Sequence, residues 1–142
     1  MSSRFSPLPV GFVPPCLPSG SKAPPSGKEW LHDIKRDGFR VIARKIGQRV
    51  KLYSRPGKDL TPRFPLIVQA VANLRASSCI IHGKAVACGE DGIACFELLL
   101  VRRDADGGVF LYAFDLIELS RANCAQDNAR QPCCASGTGV AI

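Results

Sequence analysis

Phe39-Arg40-Val41-Ile42-Ala43-Arg44-Lys45-Ile46-Gly47-Gln48-Arg49-Val50-Lys51-Leu52-Tyr53-Ser54-Arg55 is the stretch that decides the fold. Phe39, Val41, Ile42 and Ala43 make an apolar run with β-branched content, which predicts a strand. Gly47-Gln48 marks a reversal of the chain. Beyond it, Val50, Leu52 and Ser54 alternate with Lys51, Tyr53 and Arg55, as a strand with one buried face requires. Two strands about a glycine turn predict a hairpin.

Working outward, residues 56–63 read as a loop. Phe64, Ile67, Val71 and Leu74 then fall on one helical face, and Pro65 suits a first turn, so a helix is predicted over 64–75. Residues 79–88 are rich in Ile, Val and Ala and predict a strand. Gly89-Glu90-Asp91-Gly92 is a turn. The apolar run 93–101 fits a strand or a short helix equally. After a turn at 104–108, residues 109–119 predict the most deeply buried strand. Hairpins without regular βα alternation predict an α+β domain built on antiparallel sheet.

The flanks differ in composition. Residues 1–27 are rich in Pro, Ser and Gly and read as an extended arm. Its apolar residues Val10, Phe12, Val13 and Leu17 suit a path across a domain surface. From Ser120 no aromatic residue remains, and residues 120–142 read as a disordered tail. The predicted division is therefore an arm (1–27), a domain (28–119) and a tail (120–142).

Composition narrows the function classes. In 142 residues, 46% hydrophobic content supports a buried core, and a net charge of +7 favours anionic partners such as nucleotides or nucleic acid. No apolar run is long enough to span a bilayer, and prolines break the N-terminal stretch where a signal peptide would need an apolar core. The seven cysteines form no C-x-x-C pair and have no His cluster beside them, which argues against zinc; the odd count argues against a disulfide framework. Cys79, Cys88 and Cys95 read as small buried hydrophobes, and a reducing, cytoplasmic setting is expected.

The chemistry centres on Asp33-Ile34-Lys35-Arg36-Asp37-Gly38-Phe39-Arg40. Lys35 lies at a strand end, before a glycine free to adopt positive φ, with Arg40 as a second cation nearby. A lysine becomes a nucleophile when desolvation or a neighbouring charge lowers its pKa. Such a lysine can attack a phosphoryl group. On the residues alone, Lys-x-Asp-Gly is more often an ordinary strand end and turn.

The segment resembles motif I of the covalent nucleotidyltransferases, Lys-x-Asp-Gly-x-Arg. Its surroundings resemble the bacterial ATP-dependent DNA ligases, close to the ligase modules associated with end joining. Tyr53-Ser54-Arg55 with Gly57 and Asp59 resembles the second ligase motif. Ile81-His82-Gly83-Lys84-Ala85-Val86 lies where the family has Asp-Gly-Glu. Tyr112-Ala113-Phe114-Asp115 resembles the motif whose aromatic residue stacks on adenine. The likeness covers about residues 8–119.

The resemblance implies a partial adenylation domain with ATP and Mg²⁺ as cofactors. Lys35 would form a lysyl-AMP and release pyrophosphate, and the AMP would pass to a 5′-phosphate before the nick is sealed. It implies that Arg40 and Arg55 hold ribose or phosphates. Phe114 would face adenine, its alternative being a plain core residue, and Asp33 would lie near the adenine edge where the family has Glu. Nicked or broken double-stranded DNA and end-joining proteins are the implied partners, with no membrane.

Two departures matter. His82 and Lys84 stand where the family has Asp and Glu, which reverses a charge beside any cation, an effect on the order of a few kcal/mol at a partly buried site. His82 by itself reads as a solvated turn residue. The family's domain also continues beyond Leu119 with further phosphate-binding and metal-binding motifs and an OB-fold; the tail here reads as a degenerate or frameshifted end. The expectation is a DNA ligase fragment impaired by Lys84 and truncation, so whether it is an enzyme stays open. The alternative is a non-catalytic remnant that binds nucleotide or nucleic acid.

Overall fold

The hairpin forms as its pattern requires. Strands β1 (Phe39–Ile46) and β2 (Arg49–Ser54) pair antiparallel, from Val41 opposite Ser54 to Ile46 opposite Arg49. Gly47 takes the first turn position at φ 59°, where a two-residue hairpin needs the left-handed region. The computed structural model describes residues 10–15, 20, 22–30, 37–101, 108–120, 122–123 and 140–141.

A 3-10 turn over Thr61–Arg63 leads into α1 (Pro65–Ala72), with Pro65 in the first turn. The helix then gives way to β3 (Ser78–Ala87). The ambiguous run resolves as a helix, α2 (Phe96–Val101), which buries Leu99 and leaves Leu100 and Val101 exposed. One buried position in six is too few for a central strand. Strand β4 (Val109–Leu119) follows, and the short pairs β5 (Ala122–Asn123) and β6 (Val140–Ala141) both hydrogen-bond to β4. The rest of 121–142 lies outside the described residues.

All pairings are antiparallel, in the order β2-β1-β3-β4-β5, with β6 also on β4. This is the expected α+β architecture. One face of the sheet, carrying Val41, Ala43, Leu52, Cys79, Ile81, Ala85 and Leu111, packs against Phe64, Ile67 and Val71 around α1 and Leu99 of α2. Phe39 joins this core, its ring 5.0 Å from that of Phe96 and 6.5 Å from that of Phe64. Arg63 sits 5.0 Å above the Phe39 ring and donates to the Leu99 carbonyl. Lys45, almost fully buried, donates its Nζ to the carbonyl of Ala72, the last residue of α1. A cation there satisfies a terminal carbonyl and complements the helix dipole.

The opposite face is covered differently. Val13 packs on Ile42, Ile80 and Ile117, and the Phe12 ring lies 5.7 Å from that of Tyr53. Arg44 donates to the Gly11 carbonyl, so residues 11–13 lie across this face. Among the described residues, no helix backs it in this region.

The cysteines divide. Cys79 is buried in the core, and burial raises its thiol pKa. Cys88 and Cys95 are only half-buried, and the Cys95 thiol donates to Glu97 at 3.1 Å. They are therefore not core residues as expected; both flank the 89–92 turn, where the strand has already left the sheet.

Candidate functional site

The expected site residues separate at once. Lys35 and Asp33 lie in residues 31–36, outside the described residues. Arg40 is the second residue of β1 and is half-buried. Arg55 follows the end of β2, is exposed, and lines a shallow depression with Pro14, Pro15 and Pro56. Phe114 lies in the middle of β4, half-buried.

Register brings several of these onto the face opposite the helices. Directly opposed residues in an antiparallel pair point to the same side. Arg40 opposes Lys84, and Lys84 opposes Tyr112. Arg55 lies in the turn that begins one residue beyond the last β1–β2 pair, Val41–Ser54. The sheet thus carries a lateral row, Arg40, Lys84 and Tyr112, across three strands, with Arg55 past the end of β2. One step along the strands lies a second row: Ile42, His82 and Asp115.

Two irregularities in the β3–β4 ladder shape this face. Ile80 pairs with Glu118 but Ile81 with Leu116, and His82 pairs with Asp115 but Gly83 with Ala113. Phe114 and Ile117 are therefore extra residues, each in a β-bulge. A bulge turns two consecutive side chains toward one side. Phe114 meets His82, ring centroids 4.6 Å apart and tilted by 58°. Ile117 joins the patch under Val13.

Two glycines make room for this arrangement. A Cβ on Gly83 would stand 2.6 Å from the Tyr112 carbonyl oxygen and 3.1 Å from the Ala113 Cα. A Cβ on Gly38 would stand 2.3 Å from the Ala85 carbonyl oxygen. Gly38 does not have positive φ, contrary to expectation. Its role is spatial: it lets the chain that follows the Lys35 motif press against β3.

His82 overturns the reading of a solvated turn residue. It lies inside β3, only 4% exposed. Burial first, then the charges of Arg40 and Lys84, hold its pKa down to about 4, so the imidazole is neutral at pH 7. Its buried Nε2 has no hydrogen-bond partner, nor does the buried Nη1 of Arg40. Asp115, the carboxylate opposite His82, has its pKa raised by burial. An interior glycine between two polar residues in an apolar strand was the available signal for a bulge here.

The donor set decides which groups fit. Among the described residues, no three His, Cys, Asp or Glu side chains come close enough to hold a metal ion. Magnesium prefers carboxylate and phosphate oxygens, and here Arg40, Lys84 and a buried imidazole stand with Asp115, while the Glu118 carboxylate further along β4 accepts from Ser78. The face does not fit a protein-bound Mg²⁺. It does fit an anion bearing a flat ring: cations that pair with phosphate oxygens, beside an aromatic pair. Among the described residues, no helix is long and apolar enough to cross a membrane.

Comparisons with known proteins bear on the family and the fold. A family model, the ATP dependent DNA ligase domain, matches residues 22–131. The multifunctional non-homologous end joining protein LigD of Mycolicibacterium smegmatis is 29% identical over 119 residues, covering 84% of this chain and 16% of that protein. Its namesake in Pseudomonas aeruginosa is 34% identical over 98 residues, covering 69% and 11%. The crystal structure of the ligase domain from M. tuberculosis LigD superposes with a TM-score of 0.57 at 30% identity, covering 63% of this chain and 29% of that one. The chain thus spans less than a fifth of the length of the two LigD proteins.

Proposed function

We propose a nucleotide-binding function from one premise: the chain belongs to the ATP dependent DNA ligase domain family. In this reading residues 28–119 are the front part of an adenylation domain, residues 1–27 an arm, and 120–142 a tail. ATP binds on the sheet face opposite the helices. Phe114 offers its ring to adenine, and Arg40 and Arg55 take ribose or phosphates. Asp33 lies toward the adenine edge. Lys35 is the nucleophile. Its Nζ forms a bond to the α-phosphorus, the bond to the leaving pyrophosphate breaks, and a lysyl-AMP results. Transfer of that AMP to nicked or broken double-stranded DNA, with end-joining proteins as companions, is the further reaction of the family reading.

The same reading makes adenylation weak in this chain. The observation that carries it is the Arg40–Lys84 pair beside the buried His82. Pyrophosphate departure needs charge neutralisation at oxygens that leave. Magnesium supplies that neutralisation when bound, and this face repels it. Fixed ammonium and guanidinium groups hold the phosphates, but hold them equally before and after transfer. Binding without preference for the transition state does not accelerate a reaction.

The test is incubation with α-labelled ATP and Mg²⁺, followed by denaturing electrophoresis. The expected result is nucleotide binding with little or no covalent label, and a Lys35-dependent band in Lys84→Glu. Strong labelling of the unaltered chain that vanishes in Lys35→Ala would show an intact adenylating module and overturn the impairment.

A further inference from the structure

On that nucleotide-binding reading, we infer that Arg40 and Lys84 form a polyphosphate site that takes the nucleotide as a free polyanion, so that Mg²⁺ weakens binding.

The placement is set by the backbone. Arg40 and Lys84 are direct partners in the β1–β3 ladder, so their side chains leave the sheet on the same side and at the same level. Arg55, in the turn past the end of β2, adds a cation beyond the last β1–β2 pair. Two cations in line and a third past the strand end, with the aromatic Phe114 one step away, match the layout of a nucleotide whose phosphates run along the row. Two atoms point to an absent partner. Arg40 Nη1 and His82 Nε2 are both buried without a hydrogen bond, and both belong to this face. A buried donor left unpaired costs on the order of 1–3 kcal/mol, so a ligand oxygen on Arg40 Nη1 recovers what the empty face gives up. Nε2 of a neutral His82 is either donor or acceptor according to tautomer, and suits a ribose hydroxyl or a protonated ring edge.

Competition with the metal follows from charge. A polyphosphate already carrying Mg²⁺ has lost two of its negative charges and offers fewer free oxygens. Brought to the row, it also sets a dication beside Lys84. Attraction falls and repulsion rises together. The carboxylate of Asp115 is one strand further, opposite His82, and Glu118, opposite Ile80, accepts from Ser78. Asp115 does not by itself make a magnesium site.

The experiment is calorimetric titration of the full chain with ATP, first in EDTA and then in excess Mg²⁺, with tripolyphosphate and AMP as parallel ligands. The expected result is ATP binding about tenfold tighter in EDTA, with tripolyphosphate retaining that preference and AMP losing it. Lys84→Glu should reverse the sign and bind ATP better with Mg²⁺ present. Circular dichroism on each variant confirms that the sheet is retained, and Lys84→Gln, which keeps length and removes charge, should abolish the difference between the two conditions. ATP binding that strengthens with Mg²⁺ in the unaltered chain would overturn this inference and leave the nucleotide reading intact. A folded chain that binds ATP in neither condition would overturn both.

Discussion

The two faces of the sheet obey different rules. The helix-covered face is apolar throughout, with Val41, Leu52, Ile67, Val71 and Leu111 essentially without exposure. Lys45, the cation that β1 sends to this side, is spent on a helix terminus. The other face alternates: an apolar strip of Ile42, Ile80 and Ile117 under Val13, then cations and a tilted His–Phe pair with buried atoms left unpartnered. A sheet with one face given to stability can leave the other incompletely satisfied. That division is expected where a ligand completes the structure.

The largest expected effect breaks the satisfied face. Leu111→Ala empties a fully buried site between the sheet and its helices. It should cost about 3 kcal/mol, read as a lower urea midpoint with unchanged slope. A loss under 1 kcal/mol would mean that this face is not the packed one.

A smaller effect probes the unsatisfied face through pH. In the unfolded chain the imidazole of His82 takes up a proton near 6.5, and in the folded chain only near 4. Between those values the unfolded chain binds more protons, so acid favours unfolding. Stability from this source is complete above pH 6.5, falls as pH drops toward 4, and is then lost; the total is up to ~3 kcal/mol. His82→Leu should flatten the curve of unfolding free energy between pH 7 and 4.5. An unchanged curve in the variant would assign the acid sensitivity elsewhere.

The smallest effect lies at the exposed edge of the sheet. Lys51 and Asp59 pair at 2.9 Å on the exposed edge of the hairpin, and the hydrogen bond from Lys51 holds the Asp59 carboxyl down to about 2. Solvent screens such a pair. Asp59→Asn should leave the thermal midpoint within replicate scatter, and a clear drop would show that the loop 55–60 supports the cationic row.

The satisfied face was legible in the sequence because burial writes period-two and helical patterns into apolar residues. The hairpin, α1, β3 and β4 all follow from such patterns, each within a few residues. The unsatisfied face was legible only as motifs. Nothing in the order of residues says that Arg40 opposes Lys84, because register depends on how two strands far apart in the chain meet. The bulges left one signal, the interior Gly83, which does not say where on the partner strand the extra residues fall, and so the contact of Phe114 with His82 stayed unread. His82 was misread because a polar residue beside glycine resembles a turn; only a neighbour that buries it reveals otherwise. The run 93–101 stayed open because apolar content without period does not distinguish a strand from a helix.

The paired bulges carry one more consequence, concerning length rather than composition. Without a bulge, a single extra residue in a strand exchanges inward and outward for everything beyond it. Here each bulge absorbs its own extra residue, Phe114 or Ile117, so the pairs on either side keep their facing. Deleting Phe114 or Ile117 alone should therefore remove one step and leave both halves of β4 correctly facing. One residue deleted from the regular pairs at 109–113 has no bulge to absorb it, and should turn that end of the strand inside out. Changes of length in this strand are tolerable only where a bulge already holds the spare residue.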